Sequence, residues 1–217
     1  MIFMPQTQGR SQRTKAGEAS PGNEPLAAAT PAKRAAAACN VLGRLEFTRW
    51  CAGVLSGACG MDELFDGRGP DPRWLIDPAW QDWDSAVTWV ERGFDYWPRV
   101  WAARSLLHEW DPAATAAVRV GLNDAHWRVR EMCAKVVTRH EVADSADACA
   151  RLVSGDSVSR VRIAALRALA AVGEAEHAGA VATAILDDDS AVADRAAQVR
   201  AALEQRLERS FDDLPGD

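Results

Sequence analysis

The chain has 217 residues, 48% hydrophobic and 26% charged, enough to bury a sizeable core and too apolar for a wholly disordered chain. Its net charge of -6 argues against a general nucleic-acid binder, whose footprint is usually basic. Apolar runs such as Ala35 to Cys39 fall far short of the roughly 20 residues of a membrane-crossing helix, so no integral membrane protein is expected.

Residues 1–40 stand apart in composition. They hold Pro5, Pro21, Pro25 and Pro31, with Phe3 as the one aromatic and a net charge of +3. Such a stretch buries too little apolar area to offset its ordering entropy, so it reads as a disordered tail whose removal should leave stability unchanged. Residues 41–94 read as a helical, Trp-rich N-terminal cap. Leu45 to Leu55 suits one helix, and Gly67 to Pro72 a loop. Asp77-Pro78 is a helix start, with Asp as the cap and Pro at the first position. That helix should run to Gly93, with Trp83, Val87 and Val90 on one apolar face.

From residue 95 to the end a repeat governs the pattern. Pro98 to Leu106, Val129 to Val137, Val161 to Leu169 and the segment from Val192 align, with starts 31, 32 and 31 residues apart. A small residue recurs at the fifth place (Ala102, Cys133, Ala165, Ala196), where two helices must approach closely. An aspartate precedes three of the starts by five residues: Asp124, Asp156 and Asp187. A second helix follows within the units, at Asp111-Pro112 to Leu122, Asp144 to Val153 and about Ala175 to Leu186. Helical pairs at this period mean a solenoid, in which each unit buries its face against its neighbours.

The motif Leu122-x-Asp124…Val129-Arg130, repeated at Asp156…Val161-Arg162…Ala165…Leu169, resembles short HEAT-like repeats of the phycobilisome-lyase type. The third copy, Asp187…Val192, carries Ala193 in the arginine position. The resemblance implies an all-α, right-handed α-solenoid of about three helical pairs. The polar stretch Glu204 to Arg209 would serve as a C-terminal capping helix. It also implies that Arg99, Arg130 and Arg162 pair with Asp124 and Asp156 in a ladder between successive repeats. The second helices would line the concave face.

The candidate chemistry is sparse. His108-Glu109 and His140-Glu141 lie one period apart and resemble half of the iron-binding set of deoxyhypusine hydroxylase. The third repeat has Val172-Gly173 there, so a cationic histidine at a helix C-terminus is the simpler role, with no metal or other cofactor expected. Five cysteines without framework spacing suit a reducing compartment, which points to the cytoplasm; Cys133 and Cys149 read as buried hydrophobes. No Ser-His-Asp or Cys-His nucleophile assembles, and no Trp lies in a basic stripe. The reading is therefore a non-enzymatic adaptor that binds another protein. The alternatives are a bilin-lyase-like enzyme subunit and a HEAT-like DNA base-excision glycosylase relative. For the binding surface, Arg119 and Arg151 each precede a repeat aspartate by five residues, and Thr183 precedes Asp188 by the same count. Ala114, Ala117, Val118 and Leu122 should form the buried face beneath Arg119.

Overall fold

The structure, a computed structural model, describes residues 29–76 and 90–211. These residues are helical with no strand, and none of their helices is long and apolar enough to cross a membrane. The architecture is an α-solenoid of the HEAT-like kind. The expected helix from Asp77 falls mostly outside the described residues.

The first departure from expectation is at the N-terminus. Residues 31–40 are not a tail: α1 spans Pro31–Leu42. Thr30 caps it by accepting a hydrogen bond from Lys33 N–H at 3.4 Å, and Pro31 occupies the first turn, where its missing N–H costs nothing. Gly43, at φ 87°, stops it and launches α2, Arg44–Ser56. Gly57 ends α2 in the left-handed region at φ 77°. Ala35 and Ala38 are fully buried, because small side chains let α1 lie close on α2. A short helix α3 (Met61–Phe65) and a 3₁₀ turn (Pro72–Trp74) follow, with Leu64, Trp74, Leu75 and Ile76 buried.

Long and short helices then alternate. The long ones are α4 (Trp97–His108), α6 (Trp127–His140), α8 (Ser159–Val172) and α10 (Ser190–Leu207). The short ones are α5 (Thr115–Gly121), α7 (Ala146–Gly155) and α9 (Ala178–Ala184). A 3₁₀ turn introduces α5 at Pro112–Ala114, capped by Asp111, and another introduces α9 at Ala175–His177. Each long helix packs on the next long one, and each short helix packs on the long helix that follows it. By the same pattern α1 and α2 lie against α4, and α2 also lies against α5. The interior is continuous from Ala35 to Leu203.

The small-residue row lies where the long helices meet: Ala102, Cys133, Ala165 and Ala196 are all fully buried. Close approach is most severe at Gly121. A Cβ there would overlap Cys133 Sγ and press on Leu55 Cδ1 at 3.1 Å. At the other end Phe211 folds back, buried, and its N–H donates to Glu204 Oε1 at 3.0 Å.

Two stability predictions follow from this packing. Gly121→Ala should destabilise by about 1–3 kcal/mol through overpacking, seen as a lower urea midpoint. Deleting residues 1–42, which removes α1, should lower Tm by more than about 4 °C; an unchanged Tm would mean that the buried contacts of Ala35 and Ala38 contribute nothing.

Candidate functional site

The turns between short and long helices are built around the repeat aspartates. In each, the Asp carboxylate accepts the N–H two residues on: His126 N–H to Asp124 at 2.7 Å, Val158 N–H to Asp156 at 2.9 Å, Asp189 N–H to Asp187 at 2.9 Å. This local bond orients the other carboxylate oxygen towards the preceding repeat. There it receives a guanidinium. Arg99 Nε lies 2.7 Å from Asp124, Arg130 Nε 2.6 Å from Asp156, and Arg162 Nε 2.8 Å from Asp187.

Each arginine does a second job. Arg130 Nη1 donates to the Asp124 carbonyl at 2.8 Å, and Arg162 Nη1 to the Asp156 carbonyl at 2.9 Å. The arginine thus ties its own turn to the next repeat's turn. Asp187 belongs to the ladder although the sequence pairing stopped at Asp156. In the last described long helix Ala193 stands in the arginine register, so that helix supplies no guanidinium for a further rung. These charges are sequestered: the Asp156 side chain is 1% exposed and Arg130 16%. The Arg162 guanidinium holds the Asp187 carboxyl below the usual carboxylate range.

One member of each His-Glu pair joins elements. The His140 ring nitrogen Nε2 lies 3.1 Å from the Leu107 carbonyl in the preceding long helix, and its ring stacks on Trp110 at 5.0 Å. Glu109 pairs with Arg44 of α2 at 3.2 Å. The cationic histidines expected at these helix ends are corrected: partial burial lowers both imidazoles, with Arg139 and Arg104 adding to the effect at His108. Neutral rings hydrogen-bond and stack; they do not complement a dipole. Among the described residues no three His, Cys, Asp or Glu side chains group as metal ligands would.

Thiol chemistry is equally suppressed. All five cysteines are unpaired, and burial pushes every thiol up, Cys39 to about 11 and Cys149 to about 12. A thiolate nucleophile at neutral pH has no support from such surroundings.

The aromatic residues split between core and surface. Trp101 is buried and stacks on Trp97 at 5.7 Å, while Tyr96 stacks on His126 at 3.3 Å across the repeat boundary. Arg128 lies over both Trp97 and Trp127, and Arg160 over Trp127 at 5.5 Å. A basic, Trp-bearing stripe therefore does exist, against the sequence reading. Arg128 stands 31 residues beyond Trp97 and Arg160 33 beyond Trp127, contacts that linear inspection scatters. Trp80, Trp83 and Trp89 lie outside the described residues.

The exposed candidates fall in two grooves between short helices. Arg119 and Arg151 line one of about 450 Å³ between α5 and α7, with Asp144, Asp147, Val120 and Ala148. Ala114, Ala117, Val118 and Leu122 are buried beneath it. Arg119 meets Asp144 at 3.5 Å, both largely exposed. Thr183 lies in the next groove, of about 390 Å³, with Leu186 and Asp188, and its hydroxyl donates to the Gly179 carbonyl at 3.0 Å. Its register needs correcting. The ladder uses Asp187, not Asp188, so the place five residues earlier is Ala182.

Residues 115–204 match the family model for HEAT repeats. The match opens at α5 and closes within α10, so it covers three pairs in which a short helix precedes a long one. Over this region the chain is similar to HEAT repeats. Comparison with curated proteins and with solved structures returned no match.

The ladder and the groove predict opposite sensitivities. Arg130→Ala strands the buried Asp156 carboxylate and should cost about 3–5 kcal/mol. Arg119→Ala removes only an exposed pair and should cost under about 1 kcal/mol; urea titration separates the two. Because the folded Asp187 value is depressed, its contribution is present above the unfolded value of about 3.9 and is lost as pH falls through the lower folded value. Arg162→Ala should therefore flatten the fall in Tm below about pH 4.

Proposed function

We propose that this protein is a non-enzymatic adaptor that binds another protein through the exposed side of its short helices. HEAT-like repeats commonly mediate protein contacts, and the buried charges here are committed to the ladder. The single observation that carries the reading is the α5–α7 groove. It brings Arg119 and Arg151 to one opening beside Val120, 56% exposed.

Arg151 has no carboxylate at salt-bridge distance among the described residues, and the partner of Arg119 is itself exposed and exchangeable. A carboxylate on an incoming segment would find two planar donors suited to bidentate pairing. Thr183 and Leu186 extend the same face to the following groove. The short, phycobilisome-lyase-type form of the repeat and a cytoplasmic location complete the reading, the latter supported by five free cysteines.

The test is affinity capture from native cytosol with the full chain and with Arg119→Glu/Arg151→Glu. A partner retained by the wild type should be lost from the double variant, whose Tm stays within about 2 °C because both side chains are exposed. Equal retention by both proteins would remove the groove from consideration.

A further inference from the structure

The long helices carry charge quite differently from the rest of the chain. Together α4, α6 and α8 hold nine Arg and Lys and one carboxylate, Glu131, a formal +8 in a chain of -6, so the remainder stands at -14. Three of the nine are the ladder arginines, which Asp124, Asp156 and Asp187 neutralise. Of the other six, Arg139, Arg160 and Arg167 are exposed, and Arg104, Arg128 and Lys135 are half-buried.

Their placement is periodic. Counted from the ladder arginine of each helix, Arg104, Lys135 and Arg167 all stand five residues later. Two residues earlier stand Trp97, Arg128 and Arg160, and nine later stand His108 and Arg139. Seven residues of helix rise about 10.5 Å, and adjacent packed helices lie about 8–10 Å apart. The first two rows of cations are therefore spaced about 10 Å in both directions, and the third follows about 6 Å further along the helices.

The grid is only lightly compensated. Glu131 is shared between Lys135 at 2.8 Å and Arg160 at 3.2 Å. Arg104, Arg139 and Arg167 have no carboxylate at salt-bridge distance among the described residues, and Arg139 and Arg167 are exposed.

We infer that this face of α4, α6 and α8 is a docking surface for an acidic protein segment, separate from the groove between the short helices. Charge complementarity identifies the occupant's sign, and three observations identify its class. The Trp97 and Trp127 rings already bear the Arg128 and Arg160 guanidiniums, so they offer no open platform for a nucleobase. The patch is three helices wide, and the described residues outside these helices carry a net -9, the three ladder aspartates included, which disfavours a long polyanion running beyond it. An acidic helix with carboxylates at i and i+7 repeats at about the same 10.5 Å as the rows of the grid.

The experiment measures anisotropy of a fluorescein-labelled 20-residue poly-glutamate peptide, and of labelled 20-mer single-stranded and duplex DNA, with the full chain at 50 and 200 mM NaCl. The peptide should bind at low salt and weaken as salt screens the face. Arg104→Glu/Lys135→Glu/Arg167→Glu should weaken it by about tenfold or more. Arg139→Gln/Arg167→Gln changes only exposed side chains, keeps the fold, and should weaken it by about threefold. Arg119→Gln/Arg151→Gln should leave it unchanged, so the two surfaces fail or succeed independently. Tighter binding of either DNA than of the peptide at the same salt would overturn the proposal, as would unaltered peptide affinity in both grid variants or no peptide binding at 50 mM.

Discussion

The structure hangs on one bond type repeated three times, an arginine on a long helix reaching the aspartate of the next repeat's turn. Desolvating both ions is costly, and their attraction roughly offsets it, so such a pair adds little net stability over an apolar pair of equal shape. What it supplies here is register. The Asp carboxylate is already committed to the N–H two residues on, so its free oxygen points one way. The guanidinium is already committed to the carbonyl of its own turn, so it reaches out one way. Sliding one repeat past its neighbour would strand both charges in a site closed to water.

That constraint explains what was legible from the residues alone. The period of 31 and 32, the small fifth position and the Arg–Asp spacing are all demanded by the ladder and the close helix approach it enforces. Each leaves a side-chain identity that no other side chain replaces. The α1 helix was hidden for the opposite reason. Alanine-rich sequence suits a solvated tail and a closely packed helix alike, and Ala35 and Ala38 bury little area each. The signals for helix were present in Thr30-Pro31 and Gly43, but composition over forty residues outweighed three positions. The register of Thr183 failed where three aspartates stand in a row, because only geometry shows that Arg162 chooses Asp187.

The histidines and tryptophans were read by the wrong partner. A His at a helix end suggests a cation facing the helix dipole. Yet His140 lies under Trp110, and its burial disfavours charge despite the nearby carbonyl of the previous long helix. Along the sequence, Trp97 and Trp127 have only scattered basic neighbours, such as Arg99 and Arg128. In the fold they gain neighbours one repeat away, Arg128 31 residues beyond Trp97 and Arg160 33 beyond Trp127. In a solenoid the lateral neighbour of a surface residue is one period distant, so charge must be read modulo the repeat.

The same principle separates the two layers. On the long helices the ladder copies every surface position into the next repeat at one helix spacing, so a basic residue tolerated once becomes a row when its copies are also basic. Arg104, Lys135 and Arg167 form such a row. On the short helices the copies diverge: the places of Arg119 and Arg151 are followed by Ala182, and Asp144 and Asp147 stand beside the arginines. A row selects a partner by the spacing of its charges and is sensitive to salt. A mixed groove selects by shape and by individual carboxylates, and is less so. A chain of net charge -6 can thus present two surfaces of unlike chemistry, because a repeat architecture confines each to one layer of helices.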